Sequence, residues 1–230
     1  MYYYGFDIYY MVLVIPAVIL SLYAQYKVKS TFAKYSAVLN RRGYTGAQVS
    51  RKILDDNGLT DITVNRTTGS LTDNYNPSNK TVNLSETVYD STSVAALGVA
   101  AHETGHAIQH ASKYAPLWIR SAIFPIVRIS SSAAIPLALL GFILGVEILV
   151  NIGIILFAAI VAFQVITLPV EYNASRRAMK MLVEYGMLDE DEVKGTKKVL
   201  SAAALTYLAS ALTSIANLLR LILLSRNRRR

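Results

Sequence analysis

Cysteine is absent from this chain of 230 residues, and histidine occurs only three times. Without cysteine the protein forms no disulfide bond and holds no metal ion through thiolates. The three histidines, His102, His106 and His110, all lie in one short segment. A metal site that uses imidazole must therefore be built on this segment, and any further side-chain ligand should be a carboxylate.

Charged side chains are also scarce. They make up 17% of the sequence against 53% hydrophobic residues, which is apolar for a soluble protein of this length. The net charge of +8 comes from basic residues placed at the edges of apolar runs, as is typical of membrane flanks. A nucleic-acid-binding face would spread them along a polar surface with interleaved aromatic residues, so we expect no nucleic-acid partner.

The first charge-free run, residues 8–26, has about the 20 apolar residues that a helix needs to cross a bilayer core of ~30 Å. A cleaved signal peptide would have basic residues before its apolar run, whereas here Asp7 precedes the run and lysines follow it. We therefore predict an uncleaved anchor. Tyrosines crowd its start, as in an aromatic belt at a membrane interface: Tyr2, Tyr3, Tyr4, Tyr9 and Tyr10.

A second apolar stretch is too long for one membrane helix. Between Arg128 and Glu171 the only charged residue is Glu147. One helix over this stretch would measure about 60 Å, twice the bilayer core. The sequence therefore predicts a hairpin of two helices, roughly 130–146 and 150–169.

Basic flanks predict the orientation, because cytoplasmic loops carry an excess of Lys and Arg. Basic residues follow the first run, from Lys27 to Arg42, and others lie on either side of the hairpin. They predict that residues 28–118 lie in the cytoplasm and the N-terminus outside. A fourth run, 199–219, has basic residues on both flanks and either spans the bilayer, lies in its interface or packs against the other helices. We predict a multi-pass protein of the cell membrane, in contact with the lipid bilayer.

Residues 102–106 read His-Glu-Thr-Gly-His and match H-E-x-x-H. On a helix, His102 and His106 share one face about 6 Å apart, so both imidazoles can bind one zinc ion. Glu103 lies to the side and is the candidate general base, since zinc lowers the pKa of a water molecule to about 7 and a glutamate can take its proton. The apolar sequence before the motif predicts a buried helix, where unpaired imidazoles would be costly.

The third ligand is the open question. His110 is eight residues from His102, about 12 Å along an unbroken helix, so one ion cannot bind both. We expect His110 to be a satisfied polar residue. Among the carboxylates Glu171 is favoured, because it ends an apolar run where an unpaired charge is expensive. The alternative for Glu171 is an ion pair with a nearby arginine, and Glu86 and Asp90 are the fallback ligands.

Other residues are candidates for supporting roles. Asn173 or Ser175 is expected to hydrogen-bond a ligand. The segment 71–85 is predicted to offer a sheet edge to an extended peptide substrate. Stabilisation of an oxyanion needs a donor besides the metal, and the candidates are Tyr172, Arg176, Arg177 and Tyr207.

The polar segment also has predictable elements. A threonine N-cap and a glycine bound a helix at 45–58. Alternation predicts a strand at 61–67 and two more within 71–85, before a helix at about 91–111 that carries the motif.

We predict a mainly α membrane protein with three to four membrane helices and a small α+β zincin-like catalytic domain, whose short sheet is antiparallel. The predicted divisions are a transmembrane anchor at 1–27, the catalytic domain at 28–118, a transmembrane hairpin at 119–170, a helix with the third ligand at 171–198, and an apolar helix with a basic tail at 199–230.

Two stretches together, AAHETGHAIQH and LPVEYNASRRA, resemble the bacterial membrane proteins known as YugP-like neutral zinc metallopeptidases. That family is similar to the gluzincin membrane proteases of the HtpX and CAAX prenyl protease group, which use two motif histidines and a glutamate in E-x-x-x-D. The resemblance implies that His102, His106 and Glu171 bind zinc and that Glu103 is the base. Ser175 stands where the related group has aspartate, so the hydrogen bonding of the ligands is left open.

The sequence therefore predicts a membrane-embedded zinc metalloendopeptidase that cleaves peptide or protein substrates, with membrane or misfolded proteins as the expected targets. An intramembrane protease of the site-2 type is disfavoured, because no Asp-Gly dipeptide is present to supply its aspartate ligand. A non-catalytic metal-binding or scaffold membrane protein stays the alternative.

Overall fold

A computed structural model describes residues 7–228 of the chain, apart from the side chain of Arg228. Part of the predicted aromatic belt and the end of the basic tail lie outside the described residues: Tyr2, Tyr3, Tyr4, Arg229 and Arg230. A π-helical turn at Tyr10–Val14 leads into the first of seven helices within this range. The elements are α1 Ile15–Ser36, α2 Gly46–Asp56, β1 Thr63–Thr67, β2 Asn74–Asn76, β3 Thr81–Ser85, α3 Glu86–Tyr89, α4 Val94–Ala111, α5 Ala115–Leu144, α6 Glu147–Glu184 and α7 Glu190–Arg228.

The chain divides into two compact units. We call Met1–Gln25, Trp118–Pro169 and Leu205–Arg230 the membrane unit, and Tyr26–Leu117 with Val170–Ala204 the polar unit. The chain passes between them inside the helices α1, α5, α6 and α7, so each of these long helices has one part in each unit.

The polar unit begins its first short helix with a capping box. Thr45 Oγ1 accepts a hydrogen bond from the Gln48 backbone N–H at 3.2 Å, and Gln48 Oε1 accepts one from the Thr45 N–H at 2.9 Å. The start of α4 is capped in turn by Ser93, whose hydroxyl accepts from the Ala96 N–H at 3.2 Å. The core of the polar unit contains fully buried residues of α2, α4 and α6, among them Val49, Ile53, Leu97 and Leu182.

The sheet of the polar unit is mixed, so the predicted antiparallel sheet is wrong. β3 lies in the middle, with β2 antiparallel on one side and β1 parallel on the other. The reason is burial: Val82 and Leu84 of β3 are fully buried, whereas β1 and β2 hold no buried residue. The most apolar strand takes the central position although it comes last in the chain. β2 is left as an edge strand of the described sheet.

Helix ends differ from the ends of the apolar runs. The helix predicted at about 130–146 is part of α5, which begins at Ala115 and contains Arg120 and Arg128. α6 continues from its apolar part through Glu171 to Glu184, so no separate helix begins at 171. Hydropathy locates the membrane-crossing part of a helix, whereas its ends depend on local capping and turn residues.

Four helices of the described chain are long and apolar enough to cross a membrane: Tyr10–Ser36, Ala115–Leu144, Glu147–Glu184 and Glu190–Asn227. The sequence predicts three to four membrane helices, and the structure has four candidates. Large apolar side chains on all four are exposed, for example Ile19 at 60%, Ile129 at 67%, Ile155 at 68% and Leu219 at 45%. Exposed apolar faces of this extent are expected where lipid tails surround the helices.

Within the membrane unit, α7 runs antiparallel to the first helix. Arg220 Nη2 donates to Asp7 Oδ2 at 2.7 Å, and the Ser21 and Thr213 hydroxyls are hydrogen-bonded at 3.0 Å. Later residues of α7 therefore face earlier residues of the N-terminal helix. The part of the fourth run from Leu205 onward lies in the membrane unit, where Thr213 and Ala216 contact this helix.

The hairpin of α5 and α6 turns at Gly145, where φ is +77°, a conformation that favours glycine. The two helices then pack closely, since a Cβ atom on Gly153 would lie 2.7 Å from the Cβ of Ala138. Phe142 and Val150, on either side of the turn, belong to a cluster against which Leu221 of α7 packs. The turn therefore lies at the same end of the membrane unit as the C-terminal part of α7.

This arrangement predicts which ends of the membrane unit are accessible from one side of the bilayer. We expect single cysteines at Val146 and Asn227 to react with an impermeant maleimide from the same side, and a cysteine at Gln25 to react from the other. The chain has no native cysteine, so the unsubstituted protein is the blank. Labelling of Val146→Cys and Asn227→Cys from opposite sides would contradict the antiparallel arrangement.

Candidate active site

The H-E-x-x-H motif lies on α4, in the middle of the polar unit. Residues of α4 before the motif are largely buried and small, for example Ala96, Ala100 and Ala101, all fully buried. His102 and His106 are one helical turn apart, with ring centroids 4.8 Å from each other and ring planes at 84°. The two imidazoles therefore face the same side of the helix, as their spacing predicts.

Glu171 of α6 completes a group of three possible metal ligands. Its Oε2 atom lies 3.3 Å from His102 Nε2 and 3.6 Å from His106 Nε2. One donor atom from each of the three residues lies within 4.8 Å of the others. No other group of three or more His, Cys, Asp or Glu side chains with this geometry occurs among residues 7–228.

The donor set fits a zinc ion. Glu171 Oε2 is buried and has no hydrogen-bond partner, although unsatisfied buried carboxylate oxygens are costly. A cation bound between the two Nε2 atoms and this oxygen would remove that cost. Two imidazoles and one carboxylate are also a known set for catalytic zinc, which leaves one coordination position open.

Each candidate histidine ligand has a hydrogen-bond partner on its other ring nitrogen. His102 Nδ1 lies 3.1 Å from Ser175 Oγ, and His106 Nδ1 lies 3.0 Å from Gln109 Oε1. Such partners hold a ligating imidazole in one orientation. Of the two residues predicted for such a contact, Ser175 makes it directly, whereas Asn173 contacts Gln109 instead, through Oδ1 at 3.0 Å.

The electrostatics around the site favour positive charge at its centre. Burial raises the pKa of the Glu103 carboxyl, and the neighbouring His102 and His106 oppose that shift only in part. Burial alone would lower the pKa of His106, but the carboxylates of Glu171 and Glu103, with the Gln109 oxygen, outweigh it, so this pKa is raised.

The alternative ligands lie outside this group. Glu86 is exposed at the start of α3, and Asp90 is exposed and pairs with Arg66 at 3.0 Å. His110 makes the contact expected of a satisfied polar residue, because its Nδ1 is 3.0 Å from the hydroxyl of Tyr75.

The four residues considered for oxyanion stabilisation are placed differently. Tyr172 is 47% exposed, and Arg176 is also exposed on α6. Arg177 donates its Nε to Asn173 Oδ1 at 2.8 Å. Tyr207 lies in the membrane unit, and the other three lie in the polar unit.

Sequence reasoning missed two residues that contact the motif helix or its histidines. Gln109 is three positions after His106, and residues at this spacing are neighbours on a helix surface. That spacing was the available signal. Tyr75 reaches His110 from β2, and no local sequence signal connects a strand residue to a helix 35 positions later.

Gly105 permits the contact between α4 and α6 on which the site depends. A Cβ atom at this position would lie 2.9 Å from the backbone oxygen of Ala174, closer than side-chain carbons approach backbone atoms in folded proteins. Ala174 is next to Ser175 and three residues after Glu171. The glycine therefore brings the motif helix close to the segment that carries the third candidate ligand.

Comparison with known proteins identifies the family of the chain. The profile of the family described as "Putative neutral zinc metallopeptidase" matches residues 10–226. The chain is 51% identical over 217 residues to "Putative membrane protease YugP" of Bacillus subtilis (strain 168), and the match covers 94% of this chain and 96% of that protein. No solved structure matches the chain.

A buried H-E-x-x-H helix in a protein with membrane-spanning helices indicates the class of membrane zinc peptidases. The chain belongs to the neutral zinc metallopeptidase family, because the family profile covers nearly its whole length. The resemblance noted from its two motifs is thereby confirmed. The protein is a zinc metallopeptidase of the membrane, and its cofactor is zinc.

We expect Gly105→Ala to destabilise the protein and to weaken zinc binding. Helix propensity alone would stabilise α4 by about 1 kcal/mol, but the added carbon forces α4 and α6 apart, at a typical overpacking cost of about 1–3 kcal/mol. Thermal unfolding and zinc content in detergent measure both effects. Ala111→Leu, at the exposed end of α4, is the control and should change neither. A higher melting temperature with full zinc content in Gly105→Ala would contradict the close contact.

Proposed function

We propose that the protein is a membrane-embedded zinc endopeptidase in which His102, His106 and Glu171 hold the metal and Glu103 is the general base. The observation that carries this proposal is the convergence of three donor atoms from two helices around a buried carboxylate oxygen without a hydrogen bond. Neither a scaffold nor a structural helix contact requires such an arrangement, and burying a carboxylate together with two imidazoles is costly unless a bound group satisfies them.

The chemistry follows from the roles of these side chains. Zinc supplies a Lewis acid that activates a water molecule and polarises the scissile carbonyl. Glu103, next to His102 on α4, accepts the proton of the attacking water and passes it to the nitrogen of the leaving amine. The hydrogen bonds of the two imidazoles with Ser175 and Gln109 keep them oriented throughout.

We infer that the substrate binds as an extended peptide along β2, in the manner of zincins. β2 is an edge strand of the described sheet, and main-chain hydrogen bonds to such an edge bind peptides with little regard to sequence. The Tyr75 side chain extends from this strand to His110 on α4, so strand and motif helix are in direct contact. Recognition through the backbone suits membrane or misfolded proteins, which offer extended segments.

The donor that stabilises the oxyanion stays a prediction among the four candidates. Arg177 is the least suited of those in the polar unit, because its Nε is already bonded to Asn173. Tyr172 and Arg176 are exposed and free to reorient when a substrate binds.

We propose the cytoplasm as the side on which catalysis occurs, with the N-terminus outside. Lys27, Lys29 and Lys34 follow the first span and support this orientation. The described end of α7, with Arg226, would then lie outside, against the usual rule, because α7 runs antiparallel to the first helix. Reaction of the Val146→Cys variant with an impermeant maleimide in intact cells supports this orientation. Reaction only in inverted vesicles would contradict it and favour the opposite orientation.

Zinc content tests the ligand set. We expect about one zinc per chain in the purified protein and a large loss in Glu171→Ala, because two imidazoles alone do not complete a stable zinc site. Glu86→Ala and Asp90→Ala remove exposed carboxylates and should keep full zinc content. If Glu171→Ala keeps its zinc and either control loses it, Glu171 is not the third ligand. Absence of zinc from the wild-type protein in chelator-free buffer would favour a protein without catalytic metal.

Glu103→Gln tests the general base. This substitution keeps the shape of the side chain but removes its ability to accept a proton, so we expect the cleavage of an unfolded protein substrate to fall by about 10²–10⁴-fold. Zinc content should stay at the wild-type level, because Glu103 is not in the ligand group. Glu86→Gln is the matched control. Equal proteolysis by Glu103→Gln and wild type would remove the active site from this helix.

A further inference from the structure

Gln109 is a fully buried amide on α4 whose hydrogen bonds all involve the site or the helix segment that carries Glu171. Its Nε2 donates to the backbone oxygen of Val170 at 2.8 Å and to Asn173 Oδ1 at 3.0 Å. Its Oε1 lies 3.0 Å from His106 Nδ1. One side chain thus connects a candidate ligand on α4 with the residues on both sides of the candidate ligand on α6.

The partners determine which way the Gln109 amide points. The backbone oxygen of Val170 can only accept a hydrogen bond, so the amide nitrogen must face it. Asn173 Oδ1 also accepts from Arg177 Nε at 2.8 Å, which fixes the Asn173 amide in turn. Gln109 therefore presents its oxygen, and only its oxygen, to His106.

An oxygen in this position selects one tautomer of the imidazole. Because Gln109 Oε1 can only accept, His106 Nδ1 must carry a proton, and the lone pair of the neutral ring is left on Nε2. Nε2 is the atom that faces Glu171 Oε2. From this geometry we infer that Gln109 is a positioning residue for the metal site, which holds His106 in its metal-binding tautomer and ties it to the Glu171 segment.

This role differs from the usual one in zinc sites, where a carboxylate often accepts the hydrogen bond from a ligating histidine. Here the hydrogen-bond partners of both histidines are neutral, the Gln109 amide oxygen for His106 and the Ser175 hydroxyl for His102. The inference rests on the proposed function of His102, His106 and Glu171 as zinc ligands. The inference adds that the Gln109 amide and the Ser175 hydroxyl, both neutral, set the zinc affinity of the site.

The test is the zinc affinity of the full-length protein in detergent, measured by competition with a chromophoric chelator. Gln109→Met keeps a side chain of similar length but removes both the acceptor for His106 and the two donated hydrogen bonds. We expect its zinc affinity to fall by about 10- to 100-fold, the range found when such supporting partners are removed. We also expect the visible absorption bands of the Co²⁺-substituted protein to change, because the geometry of the His106 ligand is no longer held.

Thr104→Val is the matched control for loss of stability. Thr104 is also fully buried on α4, and its hydroxyl lies within hydrogen-bond distance of Ser50 Oγ and of the Ala100 backbone oxygen. This variant should lose thermal stability but keep zinc affinity within about twofold and the Co²⁺ spectrum of the wild type. An equal loss of zinc affinity in Thr104→Val and Gln109→Met would reduce Gln109 to a structural role and overturn the inference.

A milder variant keeps the test decisive if Gln109→Met does not fold. Asn173→Ala removes one of the two acceptors that orient the Gln109 amide, at a half-buried position of α6. We expect a smaller loss of zinc affinity, about threefold to tenfold, in the direction of Gln109→Met. Wild-type zinc affinity in every folded variant of Gln109 and Asn173 overturns the inference but leaves the proposed ligands intact, whereas absence of zinc from the wild-type protein overturns both.

Discussion

The packing of α4 against α6 around one buried carboxylate is the contact on which the candidate site depends. Glu171 Oε2 has no hydrogen-bond partner, so its burial is tolerable only with a cation or two protonated imidazoles beside it. Gly105 lets the two helices approach, since any side chain there would meet the Ala174 backbone. Gln109 then links the same two helices by hydrogen bonds to Val170 and Asn173. The ligand group therefore exists only while this helix contact is intact.

The membrane unit follows the same rule, that polar groups removed from water must be paired. Asp7 and Arg220 form an ion pair in which both side chains are largely buried, and the Arg220 guanidinium lies 4.9 Å from the centre of the Tyr10 ring. The hydroxyls of Ser21 and Thr213 pair with each other between the same two helices. These contacts explain why the less apolar α7 can lie beside the N-terminal span, a position that hydropathy alone did not establish.

Much of the site was predictable because its information is local. The four-residue spacing of His102 and His106 sets their common face on any helix, and with only one other histidine and no cysteine the remaining candidate ligand is a carboxylate. The order of the strands was not predictable in this way. β3 takes the centre of the sheet because its alternate residues are buried, and strand order depends on what covers each face. The helix ends at Ala115 and Glu190 were missed for a related reason, since an apolar run and a helix need not end together.

The sequence by itself determined the class of protein: an H-E-x-x-H helix, long apolar runs with basic flanks, and a glutamate at the end of one run specify a membrane zinc peptidase through residue type and spacing alone. The tertiary structure decided which carboxylate meets the histidines and which groups hold those histidines in place. Glu171 is 65 residues beyond His106, and although the sequence favoured it over Glu86 and Asp90, only the packing of α6 on α4 places its carboxylate beside the two histidines. The physical reason is that helix periodicity determines which residues close in sequence share a face. Side chains distant in sequence meet only where close packing and paired polar groups bring two helices together.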